Sequence, residues 1–537
     1  MRRIVNRRGF GIGIVAALSL GAFVLFPPGR AYAANIAPAV KCSGLVGLTI
    51  PRSTMKITKA VEVPKAPPNT VEITPPQPTK VAVALPSHCL ADGVIDARVG
   101  VGGVHYGIGF AIALPDHWNG RFLFQGGGGL DGTIYPPLGA TAAGKRPALA
   151  RGFAVVSTDS GHKGAVFNPS FFADQEATLN FANTSVGKVT EVAKAIIGHY
   201  YGRAPQYSYF TGCSTGGREG MLAAERYPEQ FNGIVSGDPA MNTGRSNLGL
   251  AWFNYQMSRI APKDAAGNPE PKKAFSPSDR KLVVNAVLKA CDAKDGLKDG
   301  MIFNHRQCHF DPAVLQCKGA KNDSCLSAKQ VHALKAAFAG PRDSAGEQVY
   351  PPFPYSAGMD AAWFIPGILA SAGNSPVNPK FMTSINVNRM EDRVDTDGGN
   401  MLTNTSRWTN LTTFFGRGSK ILFYHGWSDP WFSPLDTLGY YQRMAKASGG
   451  MTKVRAHSSR IFLVPGMLHC SGGPSLNHFD LLTAVVDWVE KDKAPKSVVA
   501  TGHAFPGRSR PICAWPNHAQ YKGKGNPNDA ANFVCQE

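Results

Sequence analysis

The sequence predicts an α/β fold, in which a mostly parallel sheet is built from alternating strands and helices. Apolar strand-like segments at 107–114, 121–125 and 153–158 are followed by a segment with helical spacing at 189–197, which is typical of parallel strands joined by helices. The segment Gly212-Cys213-Ser214-Thr215-Gly216 then stands between a strand and a helix, and it fits the G-x-S-x-G nucleophile elbow. These observations predict an α/β-hydrolase fold.

Composition limits the functional classes. The chain has 537 residues, of which 43% are hydrophobic and 17% charged, so it is long enough for a large core and more than one domain. It contains 56 Lys and Arg residues and 37 Asp and Glu residues. Five of the basic residues and none of the acidic ones lie within residues 1–33, so the rest of the chain has a net charge of +14. Because no dense basic run occurs outside the N-terminus, we expect no nucleic-acid partner, and a basic surface suits anionic substrates or a polyanionic cell envelope.

Residues 1–33 read as an export signal. A basic start is followed by an uncharged apolar run from Gly9 to Phe26 and by the A-x-A site Ala31-Tyr32-Ala33. Arg7-Arg8-Gly9-Phe10 also resembles a twin-arginine signal. An uncleaved anchor is the alternative, which Pro27-Pro28 disfavours. The prediction is a secreted or periplasmic protein without stable membrane association after cleavage, and its ten cysteines suggest disulfides.

The remaining chain divides into a catalytic domain and an insertion. Residues 34–82 are rich in proline and are expected to wrap a surface. The strand and helix rhythm breaks after Asp238-Pro239 and resumes with apolar strands at 420–425 and 460–464 and a closing helix at 481–489. We therefore predict a catalytic domain formed by 34–239 and 406–537, with a lid at 240–405.

A serine hydroxyl needs a base to take its proton and a carboxylate to orient that base. In α/β-hydrolases these residues occur in the order serine, acid, histidine. Ser214, Asp429 and His469 obey this order, and each follows a predicted strand. Asp238 also follows a strand and is the rival acid. His162 and His425 end strands too, but both precede Asp429 in the chain.

The strand at 121–125 ends in the glycine run Gly126–Gly129. A backbone amide at this place in α/β-hydrolases binds the oxyanion, so we predict the N–H groups of Gly128 and Thr215 as oxyanion donors. A flexible loop is the alternative. Cys213 adjoins the predicted nucleophile and Cys470 the predicted base, so contact between Ser214 and His469 would bring the two cysteines within bridging distance.

Two long motifs resemble one family. Residues 212–219 contain Cys-Ser in the elbow, and 465–473 contain His-Cys in a glycine-rich loop. Together with 157–162, 236–240 and 424–429 they resemble the tannase and feruloyl esterase family, which includes bacterial mono(2-hydroxyethyl) terephthalate hydrolases. The resemblance implies five disulfides, which are Cys213–Cys470, Cys42–Cys89, Cys291–Cys308, Cys317–Cys325 and Cys513–Cys535.

The resemblance also implies a structural calcium site in the lid, at Cys291–Met301. The expected ligands are the side chains of Asp292, Asp295 and Asp299 and the carbonyl groups of Leu297 and Met301. Carboxylates on a glycine-bent loop suit a hard cation with oxygen ligands. A solvated acidic turn is the alternative.

The substrate implied by the resemblance is a small ester of an aromatic acid, such as gallate or ferulate, with His425 lining the pocket. Relatives that act on terephthalate half-esters use a lid arginine, whereas residues 343–388 here contain Lys380 as their one basic residue, and Arg389 and Arg393 lie just beyond. We therefore expect a secreted serine esterase of the feruloyl or galloyl type. A terephthalate half-ester hydrolase and a non-catalytic exported binding protein are the alternatives.

Overall fold

The computed structural model describes residues 35–73, 79–362 and 383–537. The predicted export signal and Lys380 lie outside these residues. The strands, in chain order, are β1 Lys56–Val63, β2 Glu72–Ile73, β3 Thr79–Lys80, β4 His88–Val99, β5 His105–Pro115, β6 Arg121–Gln125, β7 Ala154–Thr158, β8 Tyr207–Cys213, β9 Gly233–Gly237, β10 Lys420–Gly426, β11 Ser459–Val464, β12 Ser497–Ala500, β13 Arg510–Cys513, β14 His518–Tyr521 and β15 Phe533–Gln536.

Nine of these strands form one sheet in the order β1-β4-β5-β7-β6-β8-β9-β10-β11. The strands from β7 to β11 in this order pair in parallel, whereas β1, β4 and β5 pair antiparallel. The six parallel strands end at the same edge, so the loops that follow them converge there. This α/β-hydrolase fold confirms the prediction from the sequence.

Helices connect the parallel strands and build the insertion. They are α1 Gln175–Leu179, α2 Ser185–Tyr201, α3 Thr215–Arg226, α4 Thr243–Ser258, α5 Pro277–Cys291, α6 Ala328–Ala339, α7 Met359–Ala362, α8 Val387–Thr396, α9 Gly398–Thr403, α10 Thr412–Gly416, α11 Pro434–Ala447, α12 Met451–His457 and α13 Leu481–Lys491. Capping explains several starts: Ser276 and Ser327 each form a capping box, and Pro277 occupies the first turn of α5.

The parallel strands alternate their side chains between two cores. Ile421 and Phe423 of β10 pack toward α2, α3, α11 and α12, and Leu422 packs on the other face with Trp488 of α13. All of these side chains are essentially unexposed. Burial of each contributes about 1.5–3 kcal/mol to folding, which explains why the strands read as continuous apolar runs in the sequence.

The insertion has its own core, in which Met257, Val283, Val287 and Leu334 are buried. Residues 34–537 nevertheless form one compact unit. Contacts reach from the insertion to the loop after β10, where Ser433 N–H donates to the Tyr350 hydroxyl at 2.9 Å. The lid boundaries at 240 and 405 remain a prediction.

The proline-rich region contributes more to the sheet than its composition indicates. β1 is an edge strand of eight residues, seven of which pair with β4. Its side chains are mostly exposed, so it lacks the apolar pattern that marks a buried strand.

No helix in the described part of the chain is both long and apolar enough to span a membrane.

All ten cysteines are paired, in the five combinations that the family resemblance implies. Cys213–Cys470 spans 257 residues of sequence. The other four close loops of 8 to 47 residues.

Candidate active site

The elbow holds Ser214 in an uncommon backbone conformation, with φ 64° and ψ −123°. Its N–H donates to the Gly237 carbonyl at 3.0 Å, and its own carbonyl accepts from Ala240 N–H at 3.0 Å. A Cβ on Gly212 would lie 2.3 Å from the Gly216 carbonyl oxygen, so the turn requires glycine there. Neighbouring backbone thus overdetermines the strained serine, as at other functional sites.

His469 and Asp429 form a buried pair at the same edge of the sheet. His469 Nδ1 lies 2.7 Å from Asp429 Oδ2, and the two side chains are 7% and 0% exposed. Asp429 Oδ1 accepts the N–H groups of Trp431 and Phe432. Burial by itself would raise the pKa of Asp429, but nearby His469 and His425 outweigh it, and this pKa lies below its ordinary value. Asp429 is therefore an anion beside the ring.

The other ring nitrogen of His469, Nε2, has no hydrogen-bond partner among the described residues. It is not hydrogen-bonded to Ser214 Oγ in this structure, and such contacts commonly tighten only when substrate is bound. Their neighbours Cys213 and Cys470 are covalently joined, with Cα atoms 5.9 Å apart. Nucleophile and base are therefore held in one small region by a bond beside them.

Aromatic side chains enclose the His469 ring. The Trp431 ring centroid lies 4.4 Å from it and that of Phe432 lies 5.3 Å away. Both residues lie within three positions after Asp429 in the sequence, so the loop that provides the acid also shields the histidine from water. A low dielectric strengthens the His469–Asp429 interaction.

His425 does not lie where the sequence analysis placed it. Its side chain is 0% exposed, and its Nε2 is 3.3 Å from Asp429 Oδ2. Its Nδ1 contacts the Thr437 hydroxyl at 2.9 Å, and Nε2 also contacts the Phe432 carbonyl at 3.0 Å. His425 is the second-last residue of β10, a strand covered on both faces, and its side chain points into the protein. It supports Asp429 from behind and offers no surface to a substrate.

The rival acid, Asp238, lies behind the same group. Its Oδ1 accepts from Gly426 N–H at 2.9 Å, its Oδ2 is 3.6 Å from Cys213 Sγ, and its Oδ1 is 3.8 Å from His425 Nε2. No hydrogen bond joins it to His469. Burial, only partly offset by His425, raises the pKa of Asp238 to about 7. Asp238 thus links the elbow to β10, whereas Asp429 is the carboxylate in contact with His469.

The glycine run is fixed at its carbonyl groups. The carbonyls of Gly127, Gly128 and Gly129 accept, in that order, from Gly216 N–H, Asp131 N–H and the Thr215 hydroxyl. Among the described residues, the N–H groups of Gly128 and Thr215 have no acceptor. Both predicted oxyanion donors are thus on fixed backbone and available to a ligand.

The predicted calcium loop has the donors that a hard cation needs. Asp292 Oδ1 is buried without a partner among the described residues. Burial raises the pKa of Asp295 to about 7 and that of Asp292 to a lesser extent, and the neighbouring aspartates add to both shifts. The carbonyls of Leu297 and Met301 accept no backbone hydrogen bond in the described chain.

One of the expected ligands already has a cationic partner. Arg510 Nη2 donates to Asp299 Oδ2 at 2.5 Å, while Asp299 Oδ1 accepts from Met301 N–H at 3.2 Å. A cation would therefore share Asp299 with Arg510. The residues fit Ca²⁺, with Asp292 and Asp295 as the less compensated carboxylates.

The comparisons with known proteins agree with this geometry. Residues 94–536 match the family model described as tannase and feruloyl esterase. Mono(2-hydroxyethyl) terephthalate hydrolase of Piscinibacter sakaiensis is 38% identical over 523 residues, which covers 85% of this chain and 86% of that protein. The chain belongs to the tannase and feruloyl esterase family. It is a carboxylic ester hydrolase.

Other members are similar in sequence and in fold. A probable feruloyl esterase B of Aspergillus clavatus is 31% identical to this chain. The match covers 79% of this chain and 82% of that protein. The crystal structure of an esterase from Aspergillus oryzae superposes with a TM-score of 0.75 at 25% identity, covering 92% of this chain and 99% of that one.

Two sets of residues at this edge were not predicted from the sequence. The enclosing pair Trp431 and Phe432 follows Asp429, and its position beside the acid was an available signal. The buried carboxyl groups of Asp131 and Glu219 beneath the glycine run are 88 residues apart in sequence. Nothing in their local patterns indicates that they meet.

Proposed function

We propose that this protein is an exported serine esterase that hydrolyses esters of aromatic acids of the feruloyl or galloyl type. The observation that supports it best is the buried His469–Asp429 pair, which leaves Nε2 free beside the disulfide that joins the base to the elbow. The strained Ser214 and the two unoccupied N–H donors complete the set of groups that acyl transfer needs.

In the first half of the reaction, Ser214 Oγ attacks the ester carbonyl carbon while His469 Nε2 takes the hydroxyl proton. Asp429 keeps the ring in the tautomer with its proton on Nδ1 and stabilises the imidazolium. The N–H groups of Gly128 and Thr215 bind the oxyanion. The C–O bond to the alcohol then breaks, and His469 gives the proton to the leaving oxygen.

In the second half, a water molecule loses a proton to His469 Nε2 and attacks the acyl carbon. The bond to Ser214 Oγ breaks, the aromatic acid leaves, and the proton returns to the serine. No further reactant is required, because each proton that His469 takes is given back within the same half-reaction.

A terephthalate half-ester hydrolase is the second candidate, favoured by the 38% identity to the Piscinibacter sakaiensis enzyme. Arg389 and Arg393, the arginines nearest the expected lid position, are exposed on α8, while Val387, Met390 and Val394 of that helix face inward. Because neither arginine side chain faces into the protein, this placement supports the first candidate.

Hydrolysis of methyl ferulate, methyl gallate and mono(2-hydroxyethyl) terephthalate, followed by chromatography of the free acids, distinguishes the candidates. We expect kcat/KM to be highest for one of the methyl esters and Ser214→Ala to abolish turnover of all three. A higher value for the terephthalate half-ester would reverse the order. Wild-type protein inactive on every ester would favour the non-catalytic binding protein.

Export and calcium are part of the proposal. Five disulfides support an oxidising compartment, in agreement with the signal predicted at residues 1–33. N-terminal sequencing of the exported protein should give a start near Ala34. Asp292, Asp295 and Asp299, with the carbonyls of Leu297 and Met301, would hold Ca²⁺, which would neutralise the loop's charge and stabilise the fold.

A further inference from the structure

Two buried carboxyl groups contact the glycine run that carries a proposed oxyanion donor. Asp131 follows the run and Glu219 lies one turn into α3, and each residue is 1% exposed. Glu219 Oε2 accepts from Gly127 N–H at 3.0 Å. A Cβ on Gly127 would lie 2.8 Å from Asp131 Oδ2, so this carboxyl group lies directly against the same glycine.

Ser160 joins the two carboxyl groups. Its Oγ lies 3.0 Å from Glu219 Oε1 and is also hydrogen-bonded to Asp131 Oδ2. A serine hydroxyl has one proton and can donate only one of these two bonds. The other bond needs a proton on a carboxyl group. The geometry alone therefore requires one of the two acids to be neutral.

The partners of the remaining oxygens indicate which acid holds this proton. Glu219 Oε2 accepts from Gly127 N–H whichever carboxyl group the Ser160 hydroxyl donates to, and this bond favours the anion of Glu219. Asp131 Oδ1 has no partner in the described chain, which suits a neutral acid. Burial, with the charge of Glu219 added, also raises the pKa of Asp131 well above its ordinary value.

We propose that Asp131 carries a proton and, through Ser160 and Glu219, positions the glycine run for oxyanion binding. The Asp131 O–H donates to Ser160 Oγ, the Ser160 O–H donates to Glu219 Oε1, and Gly127 N–H donates to Glu219 Oε2. Glu219 accepts the hydrogen bond from the N–H group of Gly127 in the run. The carbonyl groups of the run accept hydrogen bonds from other groups. All three are positioning residues, and their role rests on the proposed esterase function.

The surrounding groups determine what happens when the proton is lost. Arg218 on α3 is the cation that faces Asp131, and its guanidinium is already bonded to two backbone carbonyls. Tyr135 is neutral, because burial raises its pKa, and His162 is neutral, because burial lowers its pKa to about 4. Burial raises the pKa of Asp159 to about 7, although its Oδ1 accepts two backbone N–H groups. At alkaline pH, two carboxylates would therefore repel each other against the run, and kcat should fall.

The test is kcat and KM for methyl ferulate between pH 6 and 10. In Asp131→Asn an amide N–H replaces the O–H, so kcat at pH 7 should stay within about threefold of wild type while the alkaline fall disappears. Glu219→Gln offers one acceptor oxygen instead of two, so the glycine run should lose a contact that positions it. Complete loss of an oxyanion donor lowers kcat by about 10²–10³. We therefore expect kcat to fall about tenfold or more, with KM within about twofold of wild type. Asp159→Asn is the matched control: a limb near pH 7 that belongs to Asp159 itself would be lost in this variant, whereas the alkaline fall assigned to Asp131 should remain.

Two outcomes would overturn the proposal. One is an alkaline limb that is the same in Asp131→Asn and wild type. The other is a Glu219→Gln variant with a lower Tm but unchanged kcat, since that would identify a merely structural pair. At pH 8, where Asp238 with its pKa of about 7 is mostly ionised, infrared difference spectra between wild type and Asp131→Asn give a readout without turnover: the band of a neutral carboxylic acid should be lost in the variant. A wild-type protein that shows this band but hydrolyses no ester would refute the proposed function and leave the proton on Asp131 established.

Discussion

Replacing Asp429 with asparagine tests which buried carboxylate orients the proposed base. Asp429 Oδ1 accepts two backbone N–H groups, so the asparagine oxygen should take that place. Its NH₂ group must then face His469 Nδ1 at about the 2.7 Å of the present contact. Two donors cannot face each other, so His469 would move its proton to Nε2 and lose the ability to act as a base. A wrong tautomer of this kind costs about 10⁴ in kcat.

Asp238→Asn is the matched control, because it changes the same chemical group in the same buried region. The raised pKa makes Asp238 neutral below about pH 7, and asparagine has the shape of the neutral acid. Its oxygen can still accept from Gly426 N–H. We therefore expect a loss of less than about tenfold in kcat/KM at pH 6, since a surviving hydrogen bond limits the cost to about 1 kcal/mol.

The assay is kcat/KM for methyl ferulate at pH 6 and 8 for wild type and both variants, with circular dichroism to check folding. A greater loss in Asp238→Asn than in Asp429→Asn would refute the assignment of the acid. Thermal unfolding adds a second comparison. Because the folded pKa of Asp238 exceeds its unfolded value, the contribution of Asp238 to wild-type stability falls as pH rises from about 4 to about 7. Asp238→Asn should therefore gain Tm relative to wild type at pH 8.

Further predictions concern the disulfides and calcium. Joint replacement of Cys213 and Cys470 by alanine should lower kcat about a hundredfold, because a displacement of about 1 Å between base and nucleophile has that effect. Cys317→Ala with Cys325→Ala is the control and should lower kcat far less. Equal losses of kcat in the two double variants would contradict this role of the Cys213–Cys470 bond. Chelation should lower Tm by several degrees with little loss of activity at room temperature, because an ion bound only to the native state stabilises it by mass action; an unchanged melting curve together with no metal by elemental analysis would remove the site.

The sequence predicted most of this edge because the signals are contiguous. The elbow at Ser214 and the loops that contain Asp429 and His469 each follow an apolar strand, and parallel strands must end together. The strand predicted at 121–125 has the same bounds in the structure, and those predicted at 420–425 and 460–464 differ by one residue. Local patterns were therefore sufficient where one strand and its following loop carry the information.

Side-chain direction and long-range contact could not be predicted in the same way. A strand buried on both faces gives no sign of which way the side chains near its end point, so His425 was assigned to the pocket although it is fully enclosed. The pairing of β1 with β4 also required tertiary contacts, because β1 is polar. Asp131 and Glu219 look like ordinary loop and helix acids in the sequence, and only the fold shows that Ser160 lies between them.

The bond between residues 213 and 470 also closes the chain into a covalent ring that contains the whole insertion. A protease that cuts once anywhere in 240–405 would open the backbone without releasing a fragment, because both ends remain attached through the ring. The cut protein would migrate as two pieces in a denaturing gel only after reduction. A single cut in this segment therefore leaves the catalytic groups in one molecule.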